Sequence, residues 1–170
     1  MYASLLDTEY LLDNTVIDKN VDVELLSMFI REAQDMNIQQ VIGTTLYQKL
    51  MNDVFTTGAP IGNSYKILVD DYIIPCQCQW VVYHSLPYLN YKLTNISVSE
   101  KSSEHSNPTD LDTIKYLRDE QRNKAEFYSQ RITEYICNNI SSYPEYNNPN
   151  NTNEIRPKSN NYFGGIYLRK

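Results

Sequence analysis

Histidine, cysteine and glycine are scarce in this sequence, and their scarcity limits the chemistry that it can support. There are only 5 glycines, two histidines (His84 and His105) and three cysteines (Cys76, Cys78 and Cys137). The cysteines lack the paired spacing of a zinc site. The sequence also contains no Gly-rich phosphate loop, nucleophile elbow or metal-binding helix motif. We therefore expect no catalytic residue, no cofactor, no metal site and no enzymatic activity.

The remaining polar candidates have structural interpretations. His84 falls in an apolar helical region, where a satisfied core or interface histidine is expected. Asp70 and Asp71 are adjacent, so their side chains point about 100° apart on a helix and cannot share a ligand. We interpret this pair as a solvated helix end. Cys76 and Cys78 are too close together on a helix for an unstrained chelate or disulfide, and we expect core thiols.

Clustered basic residues and long apolar runs are also missing. The formal net charge is −6, and even the densest basic stretch, residues 115–131, is interleaved with Asp119, Glu120 and Glu126. Nucleic-acid binding needs clustered Lys and Arg, so we expect no direct nucleic-acid ligand. No apolar stretch approaches the ~18 residues of a membrane span, and the N-terminus carries acids instead of a basic signal region. The sequence therefore predicts a cytoplasmic protein with reduced thiols and no membrane contact.

Tyrosine, in contrast, is abundant, with 15 residues. Its apolar ring and polar tip suit surfaces that become buried at interfaces. The base composition of an AT-rich genome explains the same enrichment equally well, and both interpretations stay open.

The hydrophobic pattern predicts an all-α fold, a bundle of about four main helices with one long C-terminal helix. An extended N-terminal arm (residues 1–21) precedes the helical domain (residues 22–141), and an extended tail (residues 142–170) follows it. Asp22 is the expected N-cap of the first helix. Gly43 breaks the chain, and one of the two threonines after it is expected to cap the second helix.

The third helical region, residues 64–93, is the most apolar, and its stretch 72–89 is apolar nearly all round, as in a central buried helix. Pro75 must kink or restart this helix, because proline removes a backbone donor. Pro87 is expected to bend its far end. A polar loop is predicted over residues 94–107.

The long last helix is predicted to start at Pro108 and to continue to about Ile140. Its core face carries a stripe of apolar residues, namely Leu111, Ile114, Leu117, Ala125, Tyr128, Ile132, Tyr135 and Ile136. Across the whole bundle, we expect burial within the subunit for Phe29, Leu50, Trp80, Tyr83, Leu117 and Tyr128.

Two aromatic residues lie on the opposite, polar face of this helix. Tyr116 and Phe127 are eleven residues apart and share nearly the same azimuth with Glu120, Asn123 and Glu134. Such aromatics are typical of a subunit contact, or of a surface that another part of the same chain covers. Both interpretations stay open.

The tail combines a linker with an apolar tip. Residues 143–161 are rich in Asn, Ser and Pro and are predicted not to order themselves. The tip then presents a short apolar group consisting of Tyr162, Phe163, Ile166, Tyr167 and Leu168. We expect this tip to dock on another chain, and the alternative is that it folds back onto its own helices.

Two segments carry a family resemblance. Ala33-Gln34 lies in the first helix, and the segment Ile42-Gly43-Thr44-Thr45-Leu46-Tyr47-Gln48-Lys49-Leu50 follows it. This order resembles the head–tail connector family of tailed bacteriophages, in which an Ala-Gln helix precedes a Leu-Gly-x-x-Leu-Tyr-x-x-Leu segment. The connectors of crAss-like and other Bacteroidetes phages are the most similar. Ile42 departs conservatively from the usual leucine.

The resemblance implies a structural role in the virion. It implies a homo-oligomeric, dodecameric adaptor ring that is made in the host cytoplasm and lies at the head–tail junction. The portal protein and further tail or ring proteins would be its partners, and DNA would pass through the lumen without specific binding. Another tail-completion protein is the alternative, and a helical nucleic-acid packaging or regulatory factor is a further one.

Overall fold

Helices form most of the structure, a computed structural model that describes residues 3–93, 98–100, 111–146 and 155–157. The all-α prediction is confirmed. In chain order the α-helices are α1 (Thr8–Asn14), α2 (Val23–Ala33), α3 (Gln39–Ile42), α4 (Thr44–Thr57), α5 (Asn63–Ile67), α6 (Ile74–Asn90) and α7 (Leu111–Asn138). The π-helical turns Gln34–Ile38 and Leu68–Ile73 join α2 to α3 and α5 to α6, and a 3-10 turn, Ile140–Ser142, follows α7. Four main helical rods result.

The first rod begins and ends close to the predicted positions. The side chain of Asp22 accepts a hydrogen bond of 2.9 Å from the Glu24 backbone amide, which confirms the predicted N-cap. The rod ends at Gly43, whose φ of 76° is disfavoured for residues with a Cβ. The prediction that a threonine caps the second helix was wrong. Gly43 is itself the N-cap of α4, and Thr44 is the first helical residue.

The third rod remains helical through both of its prolines. Pro75 has no N–H to donate, and the π turn Leu68–Ile73 directly before it changes the hydrogen-bond pattern. The Ile74 amide accordingly donates to the carbonyl of Val69, five residues back. The chain thus accommodates Pro75 without restarting the helix, and α6 also continues past Pro87.

A short strand pair replaces part of the predicted loop. Strand β1 (Tyr91–Leu93) pairs antiparallel with β2 (Val98–Glu100), with Tyr91 opposite Glu100. The sequence expectation of helix for the first segment and loop for the second was therefore wrong. The predicted helix start at Pro108 lies outside the described residues.

Helix α6 is the centre of the bundle. It packs against both α2 and α7. Its fully or nearly buried residues include Val81 and both Cys76 and Cys78, as expected for core thiols. The predicted central position of this helix is confirmed.

The N-terminal arm lies against the bundle and contributes to the core. Its apolar side chains Leu5, Leu6, Leu11 and Ile17 are buried. The fully buried amide of Gln34 holds the arm by its backbone. Gln34 Oε1 accepts from the Leu5 amide at 2.9 Å, and Nε2 donates to the Ala3 carbonyl at 2.8 Å.

Three of the six predicted core residues are buried, two are half-buried and one is exposed. Phe29, Leu50 and Trp80 are buried, whereas Tyr83 and Tyr128 are half-buried. Leu117 was predicted wrongly, because 46% of its surface is exposed. The contact one turn further along α7 is polar: buried Gln121 donates to the carbonyl and the side-chain oxygen of Gln79, at 3.0 and 2.8 Å.

The start of the predicted linker is also ordered by burial. Tyr143 is fully buried and Tyr146 is buried, so the expectation of an unanchored chain from residue 143 was wrong for this segment. The Tyr143 hydroxyl donates to the Ser64 carbonyl at 2.8 Å, and the Tyr65 hydroxyl donates to Glu145 at 2.7 Å. Burial and this carboxylate raise the pKa of Tyr65, so the hydroxyl remains a donor.

Truncation of Trp80 should strongly destabilise the bundle. Its indole Nε1 donates to Ser129 Oγ at 3.0 Å, and its ring meets Tyr83 edge-on, so it joins α6 to α7. We expect Trp80→Ala to lower the free energy of unfolding by about 3–5 kcal/mol in urea titrations. Leu117→Ala is the matched control on α7 and should cost much less, because that side chain is half-exposed. Equal losses for the two variants would contradict this packing.

Candidate interaction surface

The outer face of α7 exposes two aromatic rings. Tyr116 is 65% exposed and Phe127 is 61% exposed. Eleven residues at 1.5 Å each place them about 16 Å apart along the helix. Glu120 and Asn123, which lie between them, are also exposed. The described part of the chain therefore leaves most of each ring accessible to a partner.

Leu117 extends this exposed region. It neighbours Tyr116 and lies about 100° around the helix, at the border between the outer and the buried face. We call Tyr116, Leu117 and Phe127 together the α7 apolar surface. Sequence reasoning missed Leu117 as a surface residue, since its position at the border of the stripe was consistent with either environment.

Paired charges flank the α7 apolar surface. Arg122 lies 2.9 Å from Glu126, and Lys115 lies 3.1 Å from Asp112. Each pair joins neighbouring turns of the same helix, where exposed ion pairs contribute little to stability. These pairs balance the local charge on α7. An apolar partner surface that covers this face therefore does not meet a cluster of like charges.

Two arginines of α7 are engaged with tyrosine rings of the same subunit. The Arg118 guanidinium lies 4.5 Å from the centre of the Tyr83 ring. Arg131 lies 5.5 Å from the ring centres of both Tyr72 and Tyr128. These cation–π contacts place both guanidinium groups against tyrosine rings of the bundle. The basic stretch of the sequence does not form a separate phosphate-binding patch among these residues.

A second exposed apolar pair lies on the first rod. Met28 in α2 and Met36 in the following π turn are both exposed. This pair and the α7 apolar surface belong to different helical rods, which also contact each other where α3 packs on α7. The spacing of Met36 from Phe29 and Ala33 predicts the apolar face of the first helix, and its exposure shows that this prediction was wrong, whereas Met28 was not singled out.

The other polar candidates have local partners or lie in solvent. His84 is half-buried, with Nε2 2.8 Å from Asn37 Oδ1, and burial lowers the pKa of His84. Asp70 and Asp71 are exposed as expected, but they lie in a π turn within a long helix and not at a helix end. His105 lies outside the described residues.

Within the described ranges, no cluster of three or more His, Cys, Asp or Glu side chains is arranged to hold a metal ion. Across the same part of the chain, no helix has the length and apolar character needed to cross a membrane. The predicted tip residues Tyr162, Phe163, Ile166, Tyr167 and Leu168 lie outside the described residues.

The architecture defines the chain as an all-α bundle protein with exposed apolar surfaces. Residues 38–156 match DUF6712, which is described as a family of unknown function. This match covers more than half of the chain, so the chain belongs to the DUF6712 family. It spans α3 to α7 and reaches the tail segment at Arg156. Neither a curated protein nor a solved structure matches the chain.

The thiols should differ sharply in reactivity. Burial raises the pKa of both Cys76 and Cys78 to about 12, whereas Cys137 is exposed. Because the thiolate is the reactive species, we expect one thiol to react quickly with a chromogenic disulfide reagent at pH 8. The other two should react only after unfolding. Cys137→Ser should abolish the fast phase, and fast reaction of all three thiols in the native protein would contradict the buried positions.

Proposed function

We propose that this protein is a structural, non-enzymatic virion subunit, a head–tail connector of a tailed bacteriophage. In this role it forms a dodecameric ring below the portal and joins the capsid to the tail. The sequence resemblance suggests the family of connectors, and the α7 apolar surface supports an assembly role. The protein is made in the host cytoplasm and acts at the head–tail junction of the virion.

The observation that carries the assembly role is the exposure of Tyr116 and Phe127. Large aromatic side chains contribute most to binding when a partner buries them, and they gain little from an aqueous position. Two of them on the same face of one helix, with Leu117 beside the first, form two apolar contact points about 16 Å apart. A neighbouring helix is the partner that fits two points at this spacing.

A closed ring also requires a second, different surface. In a head-to-tail contact, one surface of each subunit meets another surface of the next. Met28 and Met36 offer such a surface, because they are exposed on a different rod from the α7 apolar surface. Methionine side chains adapt easily to a partner's shape. We therefore assign the subunit contact to the α7 apolar surface on one side and this methionine pair on the other.

The charge of the subunit suits a channel through which DNA moves. A net charge of −6 repels phosphate, so the lumen would not hold the DNA by specific contacts. A nucleic-acid packaging or regulatory factor would need a basic face. The cation–π positions of Arg118 and Arg131 argue against one on α7.

Another structural tail-completion protein shares the same requirements. Such a subunit also needs two apolar surfaces and no catalytic centre. The two assignments differ in the neighbour that the ring contacts, the portal or a protein further down the tail. A density map of the particle distinguishes them directly by the position of this chain.

Replacement of both outer-face aromatics should impair assembly without impairing folding. We expect Tyr116→Ser with Phe127→Ser to leave the melting temperature of the monomer nearly unchanged, because both rings are mostly exposed already. Incorporation into particles, measured by complementation and by quantification of this protein in purified virions, should fall at least tenfold. Asn123→Ser is the control on the same face and should assemble normally.

A clear loss of monomer stability in the double variant would instead show that its own chain covers these rings. Normal incorporation would remove the basis for an assembly role of the α7 apolar surface.

Deletion of the tail tip tests the second predicted contact. We expect a chain lacking residues 159–170 to remain a folded, helical monomer with unchanged circular dichroism, since the described core lies before this segment. Its incorporation into particles should be poor, because the tip is proposed to dock on another chain. A full-length control, in which Tyr162, Phe163, Ile166, Tyr167 and Leu168 are all replaced by Ser, should show the same defect. Normal incorporation of either variant would contradict docking of the tip.

A further inference from the structure

A short piece of the tail lies on the junction between α3 and α4. The Thr44 amide donates to the Ile155 carbonyl at 3.1 Å, and the Ile155 amide donates to Thr44 Oγ1 at 3.2 Å. Gln39 Nε2 also donates to this hydroxyl, at 3.1 Å. The contact thus links residues that are 111 positions apart in sequence.

The α3–α4 junction allows the tail to approach its backbone closely, because Gly43 has no side chain. Gly43 is buried, and a Cβ added there would lie 2.8 Å from Pro157 Cδ and 3.0 Å from Cγ. Its φ of 76° is a second reason why a side chain is disfavoured. The proline ring therefore packs directly over the backbone where the helix breaks.

The contact also gives a hydrogen-bond acceptor to a backbone N–H at the start of α4. The first N–H groups of a helix have no partner within the helix. Gly43 has no side chain that could cap them, and the carbonyl of Ile155 accepts from the first one instead. The Thr44 hydroxyl in turn accepts a hydrogen bond from the Ile155 amide, so Thr44 binds both backbone polar groups of Ile155.

We propose that the α3–α4 junction is a docking site for residues 155–157, the latch, and that opening of the latch sets the reach of the tail tip. The site recognises the backbone amide and carbonyl of Ile155 and the ring of Pro157. Its occupant is this segment of the same chain. The consequence for assembly rests on the proposed function, whereas the docking itself does not.

The latch can open at low cost, because its contact with the junction is small. The side chains of Ile155 and Arg156 are exposed, so opening exposes mainly the half-buried ring of Pro157 and the Gly43 backbone under it. Tyr143 and Tyr146, in contrast, are buried and hold the chain before the latch. Opening therefore removes the contact of residues 155–157 while these two core anchors stay in place.

The two states differ in how far the tip extends. With the latch closed, Leu168 is eleven residues from Pro157 and lies within about 40 Å of it at full extension. With the latch open, the nearest described anchor before the tip is Tyr146, and chain length alone sets the limit at about 75 Å. The latch thus lowers the upper limit on the distance between the tip and the bundle.

Two glycines provide a test in the full-length chain. Gly43 and Gly58 have similar φ values of 76° and 78°, but ψ is 157° at Gly43 and −3° at Gly58, so alanine is strained more at Gly43 and Gly58 controls only for the positive φ. Only Gly43 faces the latch, because a Cβ at Gly58 meets nothing within 4 Å. We expect Gly43→Ala to accelerate hydrogen exchange of the Thr44 and Ile155 amides at least tenfold relative to amides in the middle of α4. Gly58→Ala should leave this ratio unchanged.

A tail variant keeps the test decisive if Gly43→Ala fails to fold. Replacing residues 155–157 by Gly-Ser-Gly leaves the bundle residues untouched and should release the Thr44 amide in the same way. The reach is measured by single-molecule energy transfer between dyes at Cys137 and at Lys170→Cys. Opening should broaden the distances and shift them upward in the Gly43 and tail variants, but not in Gly58→Ala.

Unchanged exchange ratios in Gly43→Ala, or in the tail variant, overturn the docking site. Faster hydrogen exchange with unchanged dye distances would contradict the proposal that the latch sets the reach of the tail tip. Both measurements use the isolated subunit, and the tip deletion in particles reports separately on the proposed function, so the two proposals can fail independently.

Discussion

The rest of the structure depends on one buried amide, that of Gln34. Its Nε2 donates to the Ala3 carbonyl and contacts the Tyr47 hydroxyl at 3.2 Å, while its Oε1 accepts from Leu5. Gln77 of α6 approaches the same oxygen at 3.4 Å. A single side chain thereby joins the N-terminal arm, the first rod, α4 and α6. Buried polar groups are costly when unpaired, so any shift of one segment would leave several of these groups without partners. This constraint fixes the register of the bundle.

The π turn Gln34–Ile38 connects this constraint to the helix junction that follows. The turn begins at Gln34, and its next residue, Asp35, accepts a 2.7 Å hydrogen bond from the Tyr47 hydroxyl of α4. The start of α4 is therefore held by the polar core on one side and by Gly43 on the other. Because the direction of α4 is fixed in this way, the Gly43 backbone stays open toward the tail. The docking of residues 155–157 is thus a consequence of packing deep in the bundle.

Local rules explain what could be predicted from the sequence, and long-range contacts explain what could not. The Asp22 cap, the break at Gly43 and the outward position of Tyr116 each follow from a few neighbouring residues. Burial of Tyr143 depends on Ser64, 79 positions away, and no local pattern encodes that distance. The exposure of Leu117 was equally hidden, because a residue at the border of a helical stripe is buried only where a neighbour covers it. The connector role rests on resemblance and on exposed surfaces, and it remains a proposal.

The rigid surface and the tethered tip have different costs on binding, and the difference suggests an order of assembly. Tyr116 and Phe127 are carried by a helix whose opposite face is buried, so little backbone freedom is lost when a partner covers them. On the proposed role, docking of the tail tip would cost ordering entropy, because a polar segment of the sequence precedes it. Once the rigid surface is engaged, however, the tip acts at a high effective concentration and its own affinity matters less. On the proposed role, the α7 apolar surface therefore binds first, and the tip strengthens a contact that already exists.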